Sequence, residues 1–351
     1  MSVTKESAGE IADGRIVRVN PLRRFLVRPE TGAVAGSIAV WIFFAIVAGN
    51  SGFLSSRGVS NYLSVSAELT ILAVPVALLM IGGEFDLSIG STIGSCGIII
   101  AIFSTQYGWN IWAAIVLAFL FAILVGILNG YLVMRTRLPS FIVTLGTSYI
   151  LLGATTGITP LVTELTVVNG LDHTDGYASA KALFDTAFGG GQQFPIEILW
   201  ALALVAVATW LLLRTSFGNW IFGVGGDAQA ARNVGVPVMR VKILLFIGTA
   251  MCACLLATIQ AVHTTNADVL RGQGQEFYAI VASVVGGVLL TGGYGSAIGA
   301  MFGALAFGIV EEGIVFAGVD ANWYKAVIGV ILLLAVLLNS YVRRLAMEVR
   351  R

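Results

Sequence analysis

Residues 111–133 read Ile111-Trp-Ala-Ala-Ile-Val-Leu-Ala-Phe-Leu-Phe-Ala-Ile-Leu-Val-Gly126-Ile-Leu-Asn129-Gly-Tyr-Leu-Val133, without one charged side chain. A helix of about 20 mostly apolar residues is long enough to cross the hydrocarbon of a bilayer. This stretch therefore predicts a membrane helix, and the rest of the chain has the same character. Hydrophobic residues make up 57% and charged residues only 11% of the 351, and the mean hydropathy is +0.91. Soluble domains carry about 25% charged residues and cannot hide this much apolar surface. The fold class that follows is an all-α integral membrane protein. A net charge of +1 gives no reason to expect a nucleic-acid partner.

Comparable apolar runs lie near 33–49, 65–81, 88–104, 140–160, 195–213, 243–262, 278–290, 297–316 and 323–341. With 111–133 they make about ten spans in a compact bundle, which puts both termini on one side. Lys and Arg favour the cytoplasmic side of a membrane protein, and they segregate on this map. Lys5, Arg15, Arg18, Arg23, Arg24, Arg28, Arg135, Arg137, Arg214, Arg232, Arg240, Lys242, Arg343, Arg344, Arg350 and Arg351 share the side of the termini. Only Arg57, Lys181, Arg271 and Lys325 fall on the other. Adding or removing one span scrambles this division, so the expectation is ten spans with both termini cytoplasmic. Residues 1–32 are polar and basic, with no apolar core of signal-peptide length; they read as a cytosolic tail. Residues 33–341 form the membrane domain, and 342–351 a second cytosolic tail.

Two polar segments interrupt the domain. Residues 161–194 form an external, acidic, glycine-rich loop with Glu164, Asp172, Asp175 and Asp185. Residues 214–242 are cytoplasmic and contain a short helix at 227–234. Gly225 and Gly226 precede it, Gly235 and Pro237 follow it, and Asp227 is suited to cap it.

No Gly-x-x-x-x-Gly-Lys-Ser/Thr phosphate loop and no His-Glu-x-x-His zinc helix occurs, and the histidines are His173 and His263. Asp172-His173-x-Asp175 reads better as a solvated external turn than as a metal site, and His263 as interface packing. Cys96, Cys252 and Cys254 sit in apolar runs and read as small buried hydrophobes. The most distinctive stretch is Gly82-Gly-Glu84-Phe-Asp86-Leu-Ser88-Ile-Gly90-Ser91. One reading is a tight turn in which Asp86 or Ser88 caps the next helix. The other takes Glu84 and Asp86, two carboxylates at a membrane boundary, as pathway lining or subunit contact. Gly292-Gly-Tyr-Gly-Ser296-Ala-Ile-Gly299 repeats the theme. Gly90 and Gly94, Gly126 and Gly130, and Gly295, Gly299 and Gly303 are spaced to let helix backbones approach closely in lipid. Glu311 and Glu312, in the outer part of the ninth span, either snorkel to the surface or face an outer vestibule.

Several stretches together resemble the permease subunits of bacterial ribose-type carbohydrate importers of the ABC superfamily. They are Asp86-Leu-Ser-Ile-Gly-Ser91, Leu128-Asn-Gly130, Arg137-Leu-Pro-Ser-Phe-Ile-Val-Thr-Leu-Gly-Thr147, Gly225-Gly-Asp-x-x-Ala-Ala-Arg232-x-x-Gly235 with Arg240-x-Lys242, and Gly292-Gly-Tyr-Gly-Ser296. They keep the family's order and span most of residues 60–340. The resemblance implies a permease dimer (homodimer or paralogous heterodimer) in the bacterial inner membrane. It also implies ATP-binding subunits on the cytosolic face, which hold ATP and Mg, and a periplasmic solute-binding protein. This chain itself is expected to hold no cofactor and to be no enzyme. The helix with Asp227, Ala231, Arg232, Asn233 and Gly235 looks like the coupling helix that docks on the ATPase, and 161–194 like a contact for the binding protein. The sequence departs at Glu84, where the family more often has Gly. A sugar pathway wants polar side chains; the candidates are Asn129, Thr144, Thr147 and Gln260, beside Glu84, Asp86, Ser88, Glu311 and Glu312. Two other classes compete with this reading: an ion-driven transporter or channel, and a membrane-embedded enzyme. The second lacks any convergent nucleophile–base or metal set.

Overall fold

The computed structural model describes residues 29–189, 194–327 and 329–330. The N-terminal tail to residue 28, most of the expected tenth span and the C-terminal tail lie outside them. The order is α1 (Pro29–Ala48), α2 (Ser56–Ile81), α3 (Ile89–Thr105), α4 (Ile111–Thr136) and α5 (Ser140–Thr163). Strand β1 (Val167–Asn169), the short helix α6 (Tyr177–Phe184) and the paired strands β2 (Ala187–Phe188) and β3 (Phe194–Pro195) follow. Then come α7 (Glu197–Arg214), α8 (Ser216–Gly226), α9 (Ala228–Asn233), α10 (Val238–Thr264), β4 (Asn266–Asp268), α11 (Gln275–Val285) and α12 (Ala297–Phe316). Among the described residues, α1, α2, α4, α5, α7, α10 and α12 are long and apolar enough to cross a membrane.

Burial grades from the centre outward. The most apolar stretch of α2 is 83% buried, and those of α10 and α12 61%. That of α5 is only 17% buried, and its Phe141, Ile142, Tyr149, Ile150 and Leu161 face outward. In water such a surface would be unfavourable; against lipid tails it is matched. Lipid also removes any hydrophobic drive between the helices, so close packing has to hold them together. Gly126 and Gly130 show how. A β-carbon on Gly126 would stand 2.6 Å from Ile247 Cα, and one on Gly130 2.8 Å from Ile243 Cα. The backbones of α4 and α10 therefore touch, as the four-residue spacing predicts. Gly299 and Gly303 bring α12 onto α11 in the same way. Gly295 lies instead in the turn before α12.

Gly90 and Gly94 do a different job. Their neighbours are carbonyls of the loop after β4, Gly272 O at 2.5 Å from a β-carbon on Gly90 and Val269 O at 2.9 Å from one on Gly94, and beside Gly90 also the Glu276 side chain in the first turn of α11. This loop runs beside α3 down to its first turn before α11 starts at Gln275. The expected span 278–290 is corrected accordingly. Its helix has 11 residues and rises only about 16 Å, roughly half a hydrocarbon core. Non-helical backbone over 266–274, strand β4 and the turns after it, makes up the rest of the distance. Such backbone is tolerated at membrane depth only where protein covers it and satisfies its polar groups.

The α2–α3 connection dips inward as well. Phe85 N–H donates to Ser140 Oγ (2.9 Å) and Leu87 N–H to Thr144 Oγ1 (3.0 Å), one helical turn further along α5. The contacts continue up the same face through Ser91–Ser148 (2.8 Å) and Ser95–Thr155 (2.7 Å). At the end of the bundle away from α9, β1 pairs antiparallel with β4, and Tyr177 on α6 donates to Val262 O (2.8 Å). Burial, then the carboxylates Asp185 and Asp172, push the Tyr177 phenol above its ordinary pKa.

Candidate functional site

The two dipping connections place the first turns of α3 and α11 face to face inside the bundle. From there α3 runs toward the β1–β4 end and α11 toward the α9 end. Helix N-termini present free N–H groups and a positive dipole end, which favours acidic side chains beside them. Each of these two has one. Asp86, 1% exposed, stands at the start of α3. Its Oδ1 accepts from Ser88 N–H (2.9 Å) and Ser88 Oγ–H (2.6 Å), and its Oδ2 from Thr249 Oγ–H (2.7 Å) on α10. Glu276 lies in the first turn of α11 and accepts from Gly274 N–H (3.1 Å).

The network reaches α4. Asn129, fully buried, donates through Nδ2 to Ser88 Oγ (2.8 Å), while its Oδ1 has no partner among the described residues. Asp86, Ser88 and Asn129, three candidates read from the sequence, therefore meet at one point. The tight turn expected over the 82–91 stretch is present. Asp86 receives the N–H of Ser88, the residue just before α3, and the turn lies inside the protein. Ser88 occupies the N-cap position without itself capping through its side chain. Thr144 joins from α5 by accepting from Leu87 N–H. Thr147 stands apart, bonded among the described residues to Val143 O of its own helix (3.2 Å).

Glu84 lies elsewhere, at the α9 end, in an ion pair with Lys242 on α10; both side chains are nearly buried. Gln260 belongs to a second group near the β1–β4 end, where its Nε2 donates to Glu68 Oε2 (2.6 Å). Ser64 donates to Glu197 there, and His263 Nδ1 and Asp185 Oδ1 stand 2.5 Å apart. His263 thus has a carboxylate partner, where packing alone was expected. On α12, Glu311 stands beside Tyr324 and Glu312 beside Asn61. Among the described residues no three His, Cys, Asp or Glu side chains gather as a metal site.

Sequence reasoning passed over Glu68, Glu197, Glu276 and Thr249. Glu68 had a readable signal, because a carboxylate inside an apolar span marks a functional candidate by default. Glu197 and Glu276 sit at helix starts, where a cap explains an acid equally well. Thr249 had none, since threonines are common in membrane helices and only the fold brings it to Asp86.

Helix α9 is built as its residues predict. Asp227 Oδ1 accepts from Gln229 N–H (2.8 Å) and Ala230 N–H (2.9 Å), which satisfies two of the free donors at the start of a six-residue helix. Ala231 is buried against the protein, while Arg232 and Asn233 are exposed. Gly235, at φ +89°, turns the chain toward α10, and Val234 projects outward at 82% exposure.

Residues 58–336 match the family described as branched-chain amino acid transport system / permease component. The chain belongs to this family of ABC transporter permeases. It is 31% identical to the xylose transport system permease protein XylH of Escherichia coli, over 89% of this chain and 91% of that one. It is 29% identical to the ribose import permease protein RbsC of the same species, over 91% and 97%. Similarity to the inner membrane ABC transporter permease protein YjfF of that species is 31%, over 82% and 85%. No solved structure matches the chain. The permease is thus a multi-pass membrane protein whose matched region runs from the first turn of α2 past the end of α12.

Proposed function

We propose that this permease forms the translocation pathway of an ATP-driven ABC importer for a sugar or related small polar solute. The observation that carries the reading is the pairing of its family with α9, a capped helix on a polar loop, exposed and bounded by glycines. An ATP-binding subunit, holding ATP and Mg, docks on α9 at the cytosolic face, and a solute-binding protein docks at the β1–β4 end. The polar groups strung between these ends, from Glu68 and Gln260 to Asn129 and Ser88, supply partners for hydroxyl groups. Relatives that transport xylose and import ribose support a sugar-like solute.

The second pathway subunit packs on α5. This helix is the least buried of the candidate spans, and the space beside Gly146, Gly153 and Gly157 is open. Gly153 and Gly157 lie on one face at the spacing that favours helix pairing in lipid. If the partner is a second copy, a single cysteine introduced as Gly153→Cys gives an oxidised cross-linked dimer on a denaturing gel. With a paralogous partner the cross-link forms only when that subunit carries the matching cysteine. A monomer in both cases sinks the assignment of this face.

Gentle detergent purification of the tagged permease from its native membrane tests the main reading. Mass spectrometry is expected to find a near-stoichiometric subunit carrying a phosphate loop. Elution alone, even after such a subunit is supplied, would overturn the ATP-driven reading.

A further inference from the structure

The loop 82–88 is gripped from both sides of α9. Before α9, the end of α8 lies on it with no side chain between the backbones. A β-carbon on Gly225 would be driven into Ile81 O and would stand 2.7 Å from Gly293 N. One on Gly292 would stand 2.8 Å from Gly225 O and 3.0 Å from Gly83 Cα, and one on Gly293 2.9 Å from Gly226 Cα. Gly293 N–H donates to Ile81 O (2.8 Å), which closes the set of three turns. Gly83, Gly292 and Gly293 also have positive φ, a conformation that other residues rarely adopt. Beyond α9 the chain enters α10, and there Lys242 reaches back to Glu84 on the same loop.

The chain on either flank of α9 is thus fastened to one follower. That follower ends at Asp86 and Ser88, which hold the start of α3, where the 269–272 backbone and Glu276 close in. The glycine junction is a contact between rigid backbones, which transmits a push in one direction. The Glu84–Lys242 pair supplies the pull in the other. A nearly buried ion pair adds little net stability over an apolar pair of the same shape, because desolvating both charges offsets their attraction. Its better-attested use is to specify one arrangement of a bistable element.

We propose that Glu84 and Lys242 are positioning residues that form a latch, converting movement of α9 into movement of the α3 start and so opening and closing the pathway at its α9 end. This inference rests on the ATP-coupled reading given above.

The test uses the whole complex, with its ATP-binding subunit and binding protein, in proteoliposomes. Solute taken up per ATP hydrolysed is compared for the parent, Glu84→Lys, Lys242→Glu and the double swap. The single variants are expected to keep ATP hydrolysis within about twofold of the parent and to lose at least tenfold in solute moved per ATP. The swap is expected to recover most of it, which a merely local packing defect would not. For single variants that fail to assemble, the combination of Glu84→Gln with Lys242→Met removes both charges without leaving one unpaired; it is expected to assemble with the same tenfold loss. Normal coupling in any assembled variant without the pair overturns the latch, as does a swap that assembles and stays uncoupled. Absence of ATP-dependent uptake in the parent complex overturns the ATP-coupled reading and the latch with it.

Discussion

The Asp86→Ala permease is expected to transport at less than a tenth of the parent rate and to melt roughly 5 °C or more lower in detergent. Asp86 accepts three hydrogen bonds at a fully buried position. Alanine leaves the Ser88 N–H, the Ser88 hydroxyl and the Thr249 hydroxyl without it. Thr249 can fall back on Phe246 O, which it already reaches at 2.9 Å. Ser88 has no such alternative for its backbone donor, and each stranded donor costs about 1–3 kcal/mol. The start of α3 also loses the negative charge that its dipole favours. Asp86→Asn keeps the shape and one acceptor, so it is expected to fold with a smaller shift and an intermediate rate. Uptake assays and thermal melting of the three proteins check this. Parent-like uptake in the alanine variant would show that the α3 start does not depend on this network.

The second large effect is expected from Ala231→Pro in α9. Ala231 N–H donates to Asp227 O (2.9 Å), and Val236 N–H returns to Ala231 O (3.0 Å). Proline has no N–H, and its ring crowds the carbonyl four residues back, which costs about 3 kcal/mol or more inside a helix. A helix of six residues has no other turn to absorb the change. The membrane helices do not depend on it, so the protein is expected to insert at parent levels with uptake close to zero. ATP hydrolysis by its partner is expected to lose its response to the loaded binding protein. Reversing the charge at Arg232 on the exposed face is expected to act in the same direction without unwinding the helix. Unchanged uptake in both variants would remove α9 as the coupling element.

Both sites were visible in the sequence, for different reasons. Helix α9 is a local object, because glycines, an Asp cap and a glycine exit lie within a dozen residues and act on their immediate neighbours. The turn with Asp86 and Ser88 before the next helix was legible for the same reason. Which residues answer them from across the bundle was not. Thr249 lies 163 residues from Asp86, and nothing in its own neighbourhood separates it from a threonine bonded to its own helix. Lys242 was noticed as part of a motif, and Glu84 as a departure from the family pattern. That the two pair is visible only once 82–88 and α10 are side by side.

The span map divides along the same line. Composition and run length determine that the chain is a bundle of membrane helices, because a hydrocarbon solvent demands apolar side chains and internally bonded backbone wherever the chain crosses. Spacing of glycines determines that α4 can approach a neighbour backbone to backbone; that the neighbour is α10 is decided by the fold. What only the tertiary structure decided is where crossing is done without a complete helix. Residues 266–274 are too polar to register as part of a span, since their hydrogen-bond partners and their cover come from β1, α3 and the start of α11. Hydropathy measures what a segment would meet in lipid; these residues meet protein, and the buried junction of α3 and α11 exists because of it.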